Sequence, residues 1–311
     1  MAEEQAEEQA EEQLGRLTTE AHRPELARID ELPTLEIVRL MNAEDQLVPA
    51  AVAAQLPCIA AAIDAIAERM ACGGRLVYVG AGTAGRLGVL DASECPPTFN
   101  TAPGQVLGLI AGGPSALHSA VEGAEDDRAA AAADLVRIGL TERDSVVGVS
   151  ASGRTPYPLA AVEYARELGA LTVGLSCNAD SALAAAAEYG IEVVVGPEVL
   201  AGSTRLKAGS AQKLVLNLIS TVTMIRLGRT YGNLMVDLRA TNEKLRARAR
   251  RILALATGAD DATIERALTA TGGEVKNALL VILGGIDAPT AAARLARHQG
   301  RLRNALADES T

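Results

Sequence analysis

The sequence predicts an α/β protein, a five-stranded parallel sheet covered on both faces by helices and followed by a small all-helical C-terminal domain. Three observations carry that expectation. Five short β-rich runs, at 75–80, 105–111, 145–150, 172–177 and 192–195, alternate with alanine-rich stretches of helical spacing. Two of these runs pass straight into glycine- or serine-rich turns that open helices, as ligand loops do at the carboxyl edge of a parallel sheet. From about Thr241 the β signal stops, and helical segments punctuated by Gly258, Gly272, Gly273, Gly284 and Gly285 take over.

In chain order, residues 1–18 form an acidic low-complexity tail. Its AEEQ repeat has no apolar face to bury and carries no catalytic role. An N-terminal arm and helices occupy 19–74. The arm, TTEAHRPELARIDELP, is polar and proline-punctuated and is expected to lie on a surface. Helices follow over 34–47, with Leu35, Val38 and Leu40, and over 49–71, with Ile59, Ile63 and Ile66, until Cys72-Gly-Gly stops the second. The sheet domain spans 75–240. It ends in a long helix, apolar nearly all round from Leu214 to Ile225, which Ser203 and Thr204 are placed to cap and which is expected to be buried. The C-terminal domain, 241–311, holds four helical segments: 242–257, 262–269, 274–283 and 289–306.

Bulk properties narrow the function classes. An apolar content of 49% with 22% charged residues describes a soluble globular protein able to bury a core. Six of the ten net negative charges sit in the AEEQ repeat, leaving about −4 for the remainder. That balance, with no Trp and one Phe, argues against nucleic acid as a partner. Cys58, Cys72, Cys95 and Cys177 make no CxxC pair, and His22, His118 and His298 stand far apart, so free thiols in a reducing compartment are expected and no metal site is. Neither a signal sequence nor a membrane span is visible, and the expected location is cytoplasmic.

The stretch RLVYVGAGTAGRLGVLDASECPPTF, 75–99, is the chemical centre of the reading. Gly80, Gly82 and Gly85 match GxGxxG after a strand, a pattern that raises dinucleotide binding. The second strand, QVLGLIAGG, ends in glycines where a ribose-binding acid would stand. The loop therefore fits a smaller phosphorylated ligand, with Thr83 supplying a hydroxyl and Arg86 a charge. Glu94 precedes Pro96 and Pro97, which are expected to end the helix, so its carboxylate would lie at the negative end and hold its proton more tightly. A second loop, Ser150 to Pro156, gathers Ser150, Ser152, Gly153, Arg154 and Thr155 before a helix and suits a phosphate monoester. A third, Gly202 to Lys207, offers Ser203 and Lys207, with Lys213 two turns on. His118, Glu122 and Glu125 share one face if the helix after strand two is continuous. If Gly123 breaks it, Glu125, Asp126 and Asp127 fall in the first turn of a new helix as solvated caps.

Taken together, GAGTAGRLGVLDASECPPTF, LIAGG, AVEGAEDD, SASGRTPY, GSTRLKAGSAQKLVLN and NLMVDLRATNEKL resemble the bacterial N-acetylmuramic acid 6-phosphate etherases from about Thr19 to the C-terminus. The resemblance implies a sugar isomerase (SIS) domain, a flavodoxin-like three-layer αβα sandwich, with a helical C-terminal part. It also implies a homodimer acting in amino-sugar metabolism during cell-wall peptidoglycan recycling. The implied reaction is a lyase step without metal or organic cofactor: the lactyl ether at C3 of N-acetylmuramic acid 6-phosphate is cleaved to N-acetylglucosamine 6-phosphate and D-lactate. By resemblance Glu94 is the proton donor and acceptor and Glu125 the second acid/base. Ser150, Ser152 and Thr155 bind phosphate, and Gly82 and Thr83 lie nearer the sugar. Ala84 departs from the serine common in the family's GAGTSGR. Two other functions compatible with the fold are a non-catalytic sugar-phosphate regulator, like the glucokinase regulatory proteins, and an aldose-ketose isomerase.

Overall fold

The computed structural model describes Gly15 and residues 17–238 and 243–308. The AEEQ repeat and Asn242, the expected start of the C-terminal helices, lie outside the described residues. The described chain divides into two compact units, one of residues up to Ser93 with Gly104–Ser220, the other of Glu94–Pro103 with residues from Thr221 onward.

The first unit begins with the arm, three single 3-10 turns at Thr18–Glu20, Pro24–Leu26 and Ile29–Glu31. Thr18 Oγ1 donates to Asn178 Oδ1 at 2.7 Å and Asn178 Nδ2 donates to Thr19 Oγ1 at 2.9 Å, which pins the arm just beyond the fourth strand. Helices α1 (Thr34–Asp45), α2 (Val48–Ala53) and α3 (Leu56–Ala71) follow. The single helix expected over 49–71 is two helices. Pro57 lacks an N–H, so it can sit only in the first turn of α3, and Ala54 and Gln55 make the joint.

The sheet alternates with helices as β1 (Leu76–Gly80), α4 (Gly82–Phe99), β2 (Val106–Ile110), α5 (Arg128–Arg137), β3 (Ser145–Val149), α6 (Pro156–Glu167), β4 (Leu171–Ser176), α7 (Ala182–Ala186), β5 (Tyr189–Glu192) and α8 (Lys207–Arg226). All five strands are parallel, in the order β2-β1-β3-β4-β5. Every residue of β1, β3 and β4 is buried, as strands covered on both faces must be. The order reverses between β1 and β3, and there the connections leave in opposite directions and open a crevice at the carboxyl edge.

The fifth strand lies three residues earlier than the expected run 192–195 and overlaps it only at Glu192. β4 runs out of partners at Ser176, so Val193 gives its N–H to the Ser176 carbonyl at 2.9 Å and the chain leaves the sheet. Beyond the strand, Val193 and Val195 are buried in the core, whereas Val194 between them is 42% exposed. Gly85 lets α4 lie close on β1: a Cβ there would meet the Gly80 carbonyl oxygen at 2.6 Å. The buried Asp91 of α4 accepts from Tyr78 of β1 (2.8 Å) and from Asn217 (2.6 Å) and Ser220 (3.1 Å) of α8, and burial raises its carboxyl pKa. That network fixes the helix following the glycine turn.

In the second unit a short hairpin, β6 (Thr230–Tyr231) with β7 (Leu234–Met235), precedes α9 (Glu243–Thr257), α10 (Asp261–Ala270), α11 (Val275–Gly284), α12 (Ala288–Arg297) and α13 (Leu302–Ala307). Val236, Leu253, Val275, Leu279 and Ala291 form its own fully buried core. The last expected segment, 289–306, is broken at Gln299 and Gly300, both at positive φ. Among the described residues no single helix is long and apolar enough to cross a membrane.

Candidate active site

The crevice predicted by the strand order is a cavity of about 560 Å³ in the first unit. One wall is the turn after β1, with Gly82, Thr83 and the buried Ala84. Another is the loop after β3, with Ser150, Ser152, Arg154 and Thr155. Glu125 and Asp126 close a third side. The hydroxyls are pre-arranged: Ser150 Oγ lies 2.8 Å from Thr155 Oγ1 and 3.3 Å from Ser152 Oγ. Ser150 Oγ also accepts from the Gly153 amide at 3.1 Å, and Ser152 Oγ from the Arg154 amide at 3.2 Å. Thr155 is the N-cap residue of α6 but makes no side-chain cap, so its hydroxyl stays with the loop and the helix start is left open beside it. Hydroxyls, an arginine and an uncapped helix N-terminus converge as a phosphate monoester requires.

Gly123 decides the open question about the acidic cluster. Its φ of +69° ends any helix before Glu125, which sits in a 3-10 turn, Ala124–Asp126. Asp127 is the N-cap of α5, accepting from the Ala130 amide at 2.9 Å. His118, Glu122 and Glu125 thus share no helix face, and of the three acids 125–127 only Asp127 caps. Glu125 and Asp126 face the cavity.

The remaining expected residues lie elsewhere. Glu94 is exposed on α4 and belongs to the second unit, and it does not line this cavity. The prolines do not end the helix in front of it: α4 continues through Pro96 and Pro97 to Phe99, more than a turn beyond Glu94. The helix gives up two amide donors there but recovers a bond from the Asn100 amide to the Pro96 carbonyl at 2.9 Å. Lys207 is 2% exposed, and its Nζ lies 2.6 Å from Glu44 Oε2. Burial opposes ionisation of Glu44, yet Lys207 and Arg23, the latter at 2.7 Å, hold its carboxyl below the ordinary range. Ser203 does not line the cavity, whereas its neighbour Thr204 does. Neither residue caps α8. Glu198, 1% exposed, takes the Lys207 and Ala208 amides at 3.0 and 2.9 Å, a longer side chain reaching in from outside the local sequence.

The cavity also holds residues that sequence reasoning passed over. Leu17, buried although it falls in the segment expected to be tail, and Glu20 of the arm join its wall, and no local pattern marks them. Gln212, 1% exposed, lines it from α8, and its Nε2 is buried without a hydrogen-bond partner among the described residues. A buried orphan donor in a cavity wall points to an acceptor supplied by a ligand. Its signal was present in GSAQKLVLN as an amide entering a helix that is otherwise largely small or apolar. All four cysteines are free, and burial, then Glu198, pushes the Cys177 thiol up to about 12, so it is unreactive.

Fold and site together define an SIS-domain protein with a hydroxyl-lined cavity at its topological switch point. The SIS domain family matches residues 118–222, and the glucokinase regulatory protein N-terminal SIS domain matches 58–166. Full-length relatives sharpen this. The chain is 75% identical over 295 residues to the N-acetylmuramic acid 6-phosphate etherase of Streptomyces avermitilis, covering 95% of each chain. It is 60% identical to that of Rubrobacter xylanophilus, covering 95% of this chain and 98% of the relative, and 58% identical to that of Serratia proteamaculans, covering 94% and 99%. The chain belongs to the N-acetylmuramic acid 6-phosphate etherase family.

Proposed function

We propose that this protein cleaves the D-lactyl ether of N-acetylmuramic acid 6-phosphate by elimination and hydration, giving N-acetylglucosamine 6-phosphate and D-lactate. The observation that carries this is 75% identity to an etherase over 95% of both chains. Ser150, Ser152 and Thr155, with Arg154, hold the phosphate. Gln212 donates to a sugar oxygen.

Ring opening exposes an aldehyde that acidifies the C2 proton. One carboxylate takes that proton, the C3–O bond breaks, and the lactate oxygen receives a proton from an acid. Water then adds its hydroxyl to C3 and returns a proton to C2. Two carboxyl groups alternating as base and acid suffice. Glu125, which lines the cavity, is one of them in this reading, and the second role falls to Glu94 on the family resemblance alone, since Glu94 does not line the cavity. Each C–O bond made or broken is accompanied by proton transfer with no net redox change, so the reading calls for no organic cofactor or metal.

The homodimer and a cytoplasmic location belong to the same reading. Helix α1 supports the dimer: its twelve residues bury none of their number in the isolated chain, and Leu35 and Val38 are 58% and 56% exposed. Glu44 anchors the helix to Lys207 and Arg23 on one side, which leaves Leu35 and Val38 as an apolar face for a second copy to cover.

Incubation with N-acetylmuramic acid 6-phosphate is the test, with D-lactate followed enzymatically. Stoichiometric lactate and N-acetylglucosamine 6-phosphate are expected, and Glu94→Gln and Glu125→Gln should each lower kcat by about 100-fold or more while the phosphosugar still binds. Binding without lactate release would instead favour a silent sugar-phosphate sensor, the reading that the match to the glucokinase regulatory protein domain keeps open.

A further inference from the structure

A second cavity, of about 320 Å³, adjoins the first and shares Gly82 and Glu125 with it. Its chemistry is different. Ala116, Ala120 and Val121 form an apolar side, and Arg86 is the one cation in the lining. The sequence placed Arg86 with the phosphate, but it lines the smaller cavity and not the larger one.

Arg86 lies one helical turn after Gly82 on α4 and is half-buried. Its Nε donates to the Leu117 carbonyl at 3.2 Å, which orients the guanidinium. Among the described residues no hydrogen bond or ion pair engages either terminal nitrogen, and that pair is the one which binds a carboxylate side-on. The two carboxylates in the same lining, Glu122 and Glu125, are solvent-exposed and therefore more strongly screened than the half-buried guanidinium.

Resting on the etherase reading, the substrate has two anionic ends, the phosphate on C6 and the carboxylate of the lactyl group on C3. The hydroxyl ring serves the first and has nothing to spare for the second. We propose that the smaller cavity is the leaving-group subsite: Arg86 binds the lactyl carboxylate, and Ala116, Ala120 and Val121 receive the lactyl methyl. Glu125, common to both linings, then stands at the boundary where the C3–O bond breaks. Arg86 is thus the residue that distinguishes substrate from product, since N-acetylglucosamine 6-phosphate keeps the phosphate and lacks the carboxylate.

The test compares three ligands, the substrate, N-acetylglucosamine 6-phosphate and the lactyl carboxamide of the substrate, on wild type, Arg86→Met and Arg86→Lys. Loss of a charge-assisted bidentate contact should raise KM for the substrate about 10- to 100-fold in Arg86→Met, with partial recovery in Arg86→Lys. Calorimetric affinity for N-acetylglucosamine 6-phosphate should stay within about twofold. An equal loss for both phosphosugars, or an unchanged KM, overturns the assignment. Should Arg86→Met not fold, Glu94→Gln with Arg86 intact decides: calorimetry on it must show tighter binding of the acid than of the carboxamide, and equal binding overturns the proposal. Because that comparison needs no turnover, it is separate from the etherase reading, which fails only if wild type releases no D-lactate.

Discussion

Gln212 shows what a single side chain can reveal about a ligand the chain does not contain. An unpaired buried amide costs about 1–3 kcal/mol of desolvation without return, so a fold that keeps one gains from it elsewhere. Replacing it with Met, of similar length and no donor, should leave the unfolding temperature unchanged or raised. The same change should raise KM for N-acetylmuramic acid 6-phosphate roughly tenfold with a smaller change in kcat. Thermal melts and initial rates on one preparation check both halves, and a lowered melting temperature with normal KM would return Gln212 to a structural role. Residue identity made the hydroxyl loop legible in advance, because Ser150, Ser152 and Thr155 lie within six positions before a helix and their bonds are local. Lys207 was not legible, since its partner Glu44 is far away in sequence and chemically ordinary there.

At the scale of elements, local pattern located four of the five strands, set the fifth three residues too late, and misjudged what tertiary contacts set. The end of β5 depends on where β4 stops, and the cap of α8 on Glu198 arriving from a neighbouring loop. The start of the sheet is fixed by another such contact. Asp144, before β3, accepts from the Arg75 amide at 2.8 Å and pairs with the Arg75 guanidinium at 2.7 Å, and also takes the Thr141 amide at 2.9 Å. Burial alone would raise the Asp144 carboxyl pKa, but Arg75 and these amides outweigh it and hold it below the ordinary 3.8. A depressed carboxyl stabilises the fold fully above its unfolded value and loses that contribution as pH falls through the folded one. Asp144→Asn should therefore cost about 2–3 kcal/mol at pH 7, less than for a fully enclosed pair because Arg75 reaches solvent. The gap between wild type and variant in urea midpoint should narrow as pH drops below about 4. A gap independent of pH would mean that shape and not charge holds the junction.

At the scale of the whole molecule, the N-terminal segment carries more than the sequence granted it. The tail was expected to end at residue 18 and the polar arm only to lie on a surface, yet Leu17 of the first and Glu20 of the second reach the cavity wall. Helix α1 presents the opposite case, a regular helix with its leucine and valine turned to solvent. Leu47 and Leu56 extend the same exposure beyond it at 52% and 47%, and scattered singly such residues would need no account. Four of them fall within 22 residues, around a helix with no fully buried residue, and the proposed homodimer would cover them in a closed two-fold pair. If so, Leu35→Asp with Val38→Asp should move the protein from dimer to monomer in sedimentation velocity at micromolar concentration, and the melting temperature should fall and lose its concentration dependence. A variant that remains dimeric with an unchanged melt would place the interface on another face and leave α1 in need of a different cover.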